Sequence, residues 1–299
     1  MSGTARKKPG SLKRLTIVDF ILIAVISILC LTCILPLLHV AAKSLSSNTA
    51  VLGKEVYLWP KDFNLDAYKR VFSSGIMMSQ LWFTVMITVL QTVLQLVVIS
   101  LAAYPLSRRY LPGRFAITMF VMFTMYFSAG LIPAYLLYKD LHLLNKMWVL
   151  VLPGAFSAYN MLLMRTYFMN SVPESLEESA TIDGAGQFRI LLTIWLPLSK
   201  PILATVALFV AVGRWNGYAD AMYYTTKRSL QPLQLLLYNM ILNATPTESL
   251  VNEAQVGSAA TPEVIQSAVI MFATVPILMI YPFVQKYFVK GAMIGAVKG

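Results

Sequence analysis

The segment Ser171–Pro197 reads SVPESLEESATIDGAGQFRILLTIWLP and separates two long apolar runs. Ser171 and Glu174 have the spacing of a capping box, and two further glutamates follow, which predicts a helix that starts near Ser171. The turn Asp183–Gly186 is expected to end this helix, because glycine adopts positive φ without strain. A second short helix is expected from Gln187 to Trp195. Two short helices joined by a glycine turn exceed what a simple connection needs, so we interpret the segment as a docking element.

Apolar stretches long enough to cross a bilayer lie on both sides of this segment. A membrane-spanning helix needs about 20 mostly apolar residues. The stretches that meet this length are Ile17–Val40, Leu81–Tyr104, Phe115–Tyr138, Met147–Phe168, Pro201–Ala221 and Val264–Gln285. The composition agrees, since 58% of the 299 residues are hydrophobic, 12% are charged and the mean hydropathy is +0.67. Soluble domains carry roughly 25% charged residues, so we predict an all-α membrane protein with six transmembrane helices.

The distribution of Lys and Arg predicts how the spans are oriented. Basic residues are more frequent in the two tails and in the second and fourth connections than in the connections on the opposite side. Since basic residues accumulate in the cytoplasm, both termini are expected there. The net charge of +11 then reflects topology, and no nucleic-acid partner is needed to explain it. The expected domains are a basic cytoplasmic tail (1–16), a six-span domain (17–285) with a cytoplasmic loop (170–200), and a cytoplasmic C-tail (286–299).

Polar and aromatic side chains inside the predicted spans have two open interpretations. They can line a path for a polar solute, with hydrogen-bonding groups and an aromatic face that stacks on a sugar ring. Alternatively, they bond neighbouring helices, or form an interfacial aromatic belt with a cation that extends to the headgroups. The candidate path residues are Thr88, Gln91, Gln95, Asn160, Arg214, Trp215 and Asn216.

A motif in the docking segment resembles that of a known family. Glu178-x-Ala180-x-x-Asp183-Gly184, followed after nine residues by Ile194-x-Leu196-Pro197, is similar to the EAA motif in the membrane subunits of bacterial ABC importers. Ser179 stands where the family usually has alanine, a small-for-small replacement.

The resemblance extends over most of the chain and narrows the branch of the family. Tyr104–Arg108, Pro112–Arg114, the pair Trp215-Asn216 and the ending Lys290–Gly299 look like carbohydrate importers, in particular the maltose-type second permease. Tyr281–Lys290 further resembles permeases for complex oligosaccharides, including uronate-containing or plant-polysaccharide fragments.

This resemblance implies a type I ABC importer permease fold in a multi-pass protein of the bacterial plasma membrane. It implies a coupling helix that contacts a cytoplasmic ATPase through Glu178, Ser179, Ala180, Asp183, Gly184, Ala185, Gly186, Ile194, Leu196 and Pro197. Lys298 and Gly299 would reach the ATPase interface. The implied partners are a second homologous permease, two cytoplasmic ATPase subunits, an extracytoplasmic solute-binding protein, an oligosaccharide and the lipid bilayer.

Energy is expected to come from another polypeptide. The sequence contains no G-x-x-x-x-G-K-[ST] phosphate-binding loop, so ATP and Mg would bind the partner subunits, and this chain is expected to be non-catalytic, without a cofactor or metal of its own. One alternative is an ABC importer permease for a non-sugar solute. Another is an ion-coupled secondary transporter, but such transporters usually carry ionisable residues at mid-membrane, whereas Asp19, Arg214 and Asp220 lie near the ends of the predicted spans.

Overall fold

The computed structural model describes residues 17–242 and 261–296, with the backbone alone described at 174, 281 and 283–296. This described part is helical and contains no strand. The helices are α1 Ile17–Ser44, α2 Asn48–Leu52, α3 Asp66–Ser73, α4 Gly75–Ser107, α5 Arg114–Tyr126, α6 Leu131–Asp140, α7 Trp148–Val151, α8 Ala158–Ser171, α9 Glu174–Ile182, α10 Gln187–Ile190, α11 Leu196–Leu198, α12 Lys200–Asn216, α13 Ala219–Tyr224, α14 Leu233–Leu242 and α15 Pro262–Ala296. Short 3₁₀ turns cover Leu152–Ala155 and Arg228–Leu230, and Leu191–Trp195 is a π-helical turn.

Fewer continuous membrane-crossing helices are present among the described residues than we predicted. Helices α1 and α4 and residues 262–280 of α15 are long and apolar enough to cross a bilayer alone. Helices α5 and α6 qualify together but are bent by 113°, and the helical path 187–198 with α12 is bent by 82°. The described residues therefore contain three to five candidate spans.

The breaks have local causes in the sequence. The predicted third span is interrupted between Tyr126 and Leu131, where Gly130 has a φ of +83° that other residues rarely adopt. The predicted fourth span, Met147–Phe168, is not one helix. Its centre is a 3₁₀ turn that contains Pro153 and Gly154, after which α8 begins at Ala158. Proline removes a backbone donor, so an α-helix does not continue through this point undisturbed.

Helix α4 is the central element of the packing. At its C-terminal half, Ile99 and Ala103 are buried against Met164 and Phe168 of α8 and against Val206 of α12. At the opposite end of the bundle, a second apolar cluster joins the start of α4 to the end of α1, to α3, to α14 and to the first turns of α15. One helix therefore participates in both clusters and connects the two ends of the bundle.

Helix α1 differs from the rest because most of it is exposed. From Ile17 to Leu38 its side chains are exposed apart from the half-buried Asp19 and Ala24, and burial begins only at its C-terminal end. This exposed stretch is about 33 Å long at 1.5 Å per residue, close to the hydrocarbon thickness of a bilayer.

We expect Phe168→Ala to lower the thermal unfolding midpoint of the purified chain by several degrees. Phe168 is fully buried beside Trp195, with ring centroids 5.4 Å apart, and removal of a buried aromatic ring typically costs about 3–5 kcal/mol. The matched control is Phe120→Ala on α5, where the side chain is 69% exposed. Equal midpoints for the two variants would contradict the assigned core.

Candidate functional site

The docking segment contains the predicted glycine turn. Gly184 has a φ of +80°, and the turn is closed by the Gly184 amide donating to the Thr181 carbonyl at 3.0 Å and the Ala185 amide donating to the Ala180 carbonyl at 2.9 Å. No atom of the described residues outside the adjacent chain lies within 4 Å of where a Cβ of Gly184 would stand. The need for glycine here comes from the backbone conformation, and space does not restrict the side chain.

The predicted capping box at Ser171 is wrong. Ser171 is the last residue of α8, and α9 begins at Glu174 with Pro173 as its N-cap residue and no side-chain cap. The extended backbone of Val172 and Pro173 separates the two helices, so the serine belongs to the preceding element.

The second helix of the segment is longer than predicted. It starts at Gln187 as expected, but it passes Trp195 through a π-helical turn and continues as α11 to Leu198. Pro197 lies in this helical path shortly after the π-helical turn, and because it has no amide the path lacks one backbone hydrogen bond there. The chain bends by 82° before α12, so the docking segment leads directly into a long buried helix.

The motif residues divide into an inward and an outward set. Ala180, Ala185, Ile194 and Leu196 are partly buried and pack against the apolar cluster around α8 and α12. The exposed members are Glu178, Ser179, Asp183, Gly184, Gly186 and Pro197. Beside them Ile182 is 86% exposed and Phe188 is 63% exposed. The segment therefore presents acidic, small and apolar groups on one outward surface.

A buried ion pair attaches this surface to the bundle. Arg108, the residue after α4, forms a salt bridge with Glu177 of α9, and their side chains are only 5% and 10% exposed. A charge buried to this extent is tolerated when it is paired, and removal of one partner typically costs about 3–5 kcal/mol. Glu177 faces inward, whereas its neighbour Glu178 is exposed.

Aromatic rings complete the attachment. The Arg108 guanidinium lies 3.8 Å from the ring centroid of Trp195 and 4.3 Å from that of Tyr104, distances typical of cation–π contacts. The Tyr104 hydroxyl donates to Gln187 Oε1 at 2.9 Å. These five residues, which we call the Arg108 anchor, join the end of α4 to α9, to α10 and to the π-helical turn.

Sequence reasoning missed the anchor, although part of its signal was present. Tyr104 and Arg108 are four residues apart, a spacing that places two side chains on the same face of a helix. Glu177 was interpreted only as one of several acids that favour a helix start. Neither pattern shows which glutamate turns inward, because that depends on how α9 packs.

Polar residues of α4 lie within the bundle. Thr88 and Gln95 are buried, and Gln91 is half-buried beside Gly154, where its amide occupies the place that a Cβ would need. Thr88 also borders a small apolar cavity that it shares with Trp215 of α12 and with Pro276 of α15. The structure thus brings Thr88 and Trp215 of the candidate path residues to one cavity.

The other candidate path residues have separate surroundings. Asn160 is buried in the first turn of α8, where its backbone amide donates to Ser157 Oγ at 3.3 Å. Asn216 is exposed, and its side chain donates to the Val212 carbonyl at 3.0 Å. The C-tail residues expected at an ATPase interface, Lys298 and Gly299, lie outside the described residues.

Arg214 is engaged inside the protein. Its guanidinium pairs with Asp220, donates to the Leu150 carbonyl at 3.0 Å and to the Gly217 carbonyl at 3.3 Å, and is only 5% exposed. The Trp215 indole N–H donates to the Ala273 carbonyl at 3.2 Å. These bonds connect the end of α12 to α7, α13 and α15, which corresponds to the helix-bonding interpretation more closely than to a cation at the headgroups.

We expect Glu177→Gln to destabilise the chain more than Glu178→Gln. The first change leaves the Arg108 charge buried without a counter-ion, whereas the second alters an exposed side chain. The loss of stability should appear as a lower thermal unfolding midpoint and as faster proteolysis between residues 173 and 199. The double variant Arg108→Met with Glu177→Met should recover most of it, because no unpaired charge remains. Equal behaviour of the two single variants would contradict the anchor.

Comparison with known proteins identifies the family. Residues 72–294 match the family described as "Binding-protein-dependent transport system inner membrane component". The polygalacturonan/rhamnogalacturonan transport system permease protein YtcP of Bacillus subtilis (strain 168) is 41% identical over 281 residues, which are 94% of this chain and 98% of the relative. Protein LplC of the same organism is 41% identical over 267 residues, 89% and 90% of the two chains. The trehalose/maltose transport system permease protein MalG of Thermococcus litoralis is 29% identical over 300 residues, 96% and 98%.

Solved structures agree with these relatives. A chain in the crystal structure of a bacterial ABC transporter involved in the import of the acidic polysaccharide alginate superposes with a TM-score of 0.85 at 34% identity, and the match covers 94% of this chain and all of that one. A chain in the crystal structure of a bacterial alginate ABC transporter in complex with alginate pentasaccharide-bound periplasmic protein superposes with a TM-score of 0.59 at 16% identity. The match covers 89% of this chain and 93% of that one and shows a similar fold alone. The chain belongs to the family of binding-protein-dependent transport system inner membrane components.

Proposed function

We propose that this chain is the permease subunit of an ATP-driven oligosaccharide importer and forms half of its translocation path. The observation that carries the proposal is the outward surface of the docking segment, held to the bundle by the Arg108 anchor. Ile182 and Phe188 are exposed apolar side chains beside exposed acidic and small groups, on a segment that the charge distribution assigns to the cytoplasm, and a partner that covers the segment would bury both. Family membership supports a partner that supplies energy, since the chain has no phosphate-binding loop.

The proposed topology has six crossings with both termini in the cytoplasm of a bacterium. Helices α1, α4 and α15 and the two bent pairs account for five candidate spans. The sixth crossing in this proposal is the broken stretch from α7 through the 3₁₀ turn to α8, whose Met161 and Met164 pack on α4. The 3₁₀ turn at its centre has no buried residue in this chain, so the proposal requires that a partner chain or a water-filled path covers this irregular backbone. The proposed domains remain a cytoplasmic N-tail (1–16), a six-span transmembrane domain (17–285) and a cytoplasmic C-tail (286–299).

The proposed partners follow from this arrangement. Two cytoplasmic ATPase subunits, which bind ATP and Mg, would cover the docking segments of this chain and of a second homologous permease. The C-tail, with Lys298 and Gly299, is proposed to reach the same interface. An extracytoplasmic solute-binding protein would deliver the oligosaccharide from the other side, and nucleic acid has no role.

The Arg108 anchor suggests how movement of the docking segment reaches the bundle. When ATP closes the two ATPase subunits, a segment seated on them is displaced. Because Glu177 is paired with the residue that ends α4, we propose that α4 moves with α9 as one unit. The same helix carries Thr88, Gln91 and Gln95, so its displacement alters the surroundings of these side chains. Such a mechanism is a two-state equilibrium: ATP binding favours the outward-open state, into which the binding protein releases the oligosaccharide, and hydrolysis restores the inward-facing state.

The proposed substrate is an oligosaccharide that contains uronate. Support comes from the relatives, whose names specify polygalacturonan/rhamnogalacturonan and the acidic polysaccharide alginate. The path residues proposed from the sequence are Thr88, Gln91, Gln95, Asn160, Arg214, Trp215 and Asn216, and of these Thr88 and Trp215 already border one cavity. One alternative is an ABC permease for a non-sugar solute, which a panel of substrates distinguishes from a sugar permease. The other is an ion-coupled transporter, which would work without any ATPase.

We expect acidic oligosaccharides to stimulate the complete importer. The complex in nanodiscs, with its binding protein, is assayed for ATP hydrolysis in the presence of oligogalacturonides, alginate oligosaccharides and neutral maltodextrins of matched length. Severalfold stimulation by a uronate oligosaccharide, with little effect of the neutral series, would support the proposed substrate. Stimulation by neutral sugars alone would contradict the uronate, and stimulation by none of the sugars would contradict a carbohydrate importer.

We expect Gly184→Ala to uncouple ATP hydrolysis from transport or to reduce both severalfold. An L-residue at a φ of +80° is strained by about 1–2 kcal/mol, so the turn that orients α9 shifts. Gly186→Ala is the matched control, because Gly186 has a φ of −70° and open space at its Cβ position. Gly184→Asn should retain more activity, since asparagine tolerates this region. Normal transport by the Gly184→Ala complex would remove the role assigned to the turn.

A further inference from the structure

The connection between α2 and α3 displays an aromatic cluster on the surface. Tyr57 is 73% exposed, Trp59 83% and Phe63 65%, with Leu58 between the first two at 43%. We call Tyr57, Leu58 and Trp59 the aromatic tip; Phe63 lies beyond Lys61, next to Asn64, whose amide donates to the Leu45 carbonyl at 2.9 Å. Neither the docking segment nor the candidate path uses these side chains.

The tip is part of a well-ordered loop. Val56 is 3% exposed and packs in the apolar cluster formed with α3, α14 and α15. Lys61 and Glu55 form an ion pair at 3.0 Å across the loop. Lys54 and Asp62, the residues just outside this ion pair in the sequence, have φ of 54° and 48°, so the backbone turns sharply on both sides of it. The exposed rings are therefore presented by a fixed backbone.

Hydrogen bonds to the end of α1 give the height of this loop in the membrane. The Lys61 amide is bonded to Ser46 Oγ and the Lys61 carbonyl to the Ser47 amide, both at 3.1 Å, just beyond the last residue of α1. The Tyr57 carbonyl instead contacts His39 Nδ1 at 2.6 Å, inside the helix. His39 lies five residues before Ser44, the last residue of α1, which is about 7.5 Å along the helix axis. The loop thus turns back along α1 toward the bilayer before it reaches the tip.

His39 is the first residue of α1 beyond its exposed apolar stretch, which ends at Leu38 and matches the hydrocarbon thickness of a bilayer. Where this stretch fills the hydrocarbon, a residue held at the level of His39 lies at the depth of the headgroups. Tyr and Trp are enriched at this depth because their rings are apolar and their N–H or O–H groups remain hydrated.

We propose that the aromatic tip is an interfacial anchor that inserts into the lipid leaflet at the C-terminal end of α1. Its partner is the boundary between phospholipid headgroups and acyl chains, continuous with the apolar surface of α1. The rings would hold the depth and tilt of this end of the subunit. This inference requires only that α1 crosses the membrane and is independent of the transported solute.

The test measures depth at Trp59 with a spin label. Cys30 and Cys33, both free and exposed, are replaced by serine, and a nitroxide is attached at Trp59→Cys or, as the matched control, at Lys61→Cys. The full-length chain, with any subunits that co-purify, is placed in phosphatidylethanolamine/phosphatidylglycerol liposomes. Accessibility to oxygen and to a water-soluble nickel chelate is then compared. We expect the oxygen-to-nickel ratio to be severalfold higher at position 59 than at position 61.

Two results would overturn the anchor. A ratio at position 59 equal to that at 61 places the tip in water, where it would meet a soluble partner. Low accessibility to both reagents places it against another protein chain. An unlabelled check is the fluorescence difference between wild type and Trp59→Phe, which should be quenched by lipids brominated near the headgroup. Quenching by iodide with no effect of brominated lipid also contradicts insertion.

Discussion

The buried pair between Arg108 and Glu177 constrains the arrangement of everything around the docking segment. Two opposite charges that are almost excluded from solvent are paired through Arg108 Nη1, and the rings of Trp195 and Tyr104 lie against the guanidinium, whose Nε and Nη2 have no hydrogen-bond partner among the described residues. Since an unpaired charge in this position is costly, the pair opposes separation of α9 from the end of α4. The exposed turn at Gly184 and the exposed Ile182 are therefore attached to the bundle through this buried base.

From this base, α4 connects the parts of the molecule that a transporter needs to link. Its C-terminal half packs on α8 and α12, its start joins the cluster that holds α1 and α15, and its polar side chains lie between. At the far end of α12, Arg214 bonds Leu150, Gly217 and Asp220 and so connects the broken α7 and α13 to the same framework. Both buried arginines thus act at places where helices end, where unpaired backbone or side-chain groups need partners.

Much of the fold could be predicted from periodicity and length, and the failures have identifiable causes. The helices α1, α4 and α15 were expected because each is one long apolar run. The third and fourth predicted spans were expected to be continuous helices. Hydropathy gives no information on backbone conformation, so it did not predict that Gly130 adopts positive φ or that Pro153 and Gly154 form a 3₁₀ turn. Within the site, the glycine turn was predictable from local chemistry. The inward orientation of Glu177 was not, because adjacent glutamates are equivalent until α9 has a surface to pack on.

By itself, the sequence determined that the chain is a helical membrane protein with an exposed glycine turn after a short acidic helix, since composition, apolar length and backbone preference are local properties. Only the tertiary structure decided that Arg108 pairs with Glu177, that Arg214 faces Asp220, and that Tyr57 returns to the level of His39. Each of these depends on residues from different elements that meet only after packing. The free energy of a buried charge and the path of a loop depend on the residues packed around them, and those residues come from several stretches of the sequence.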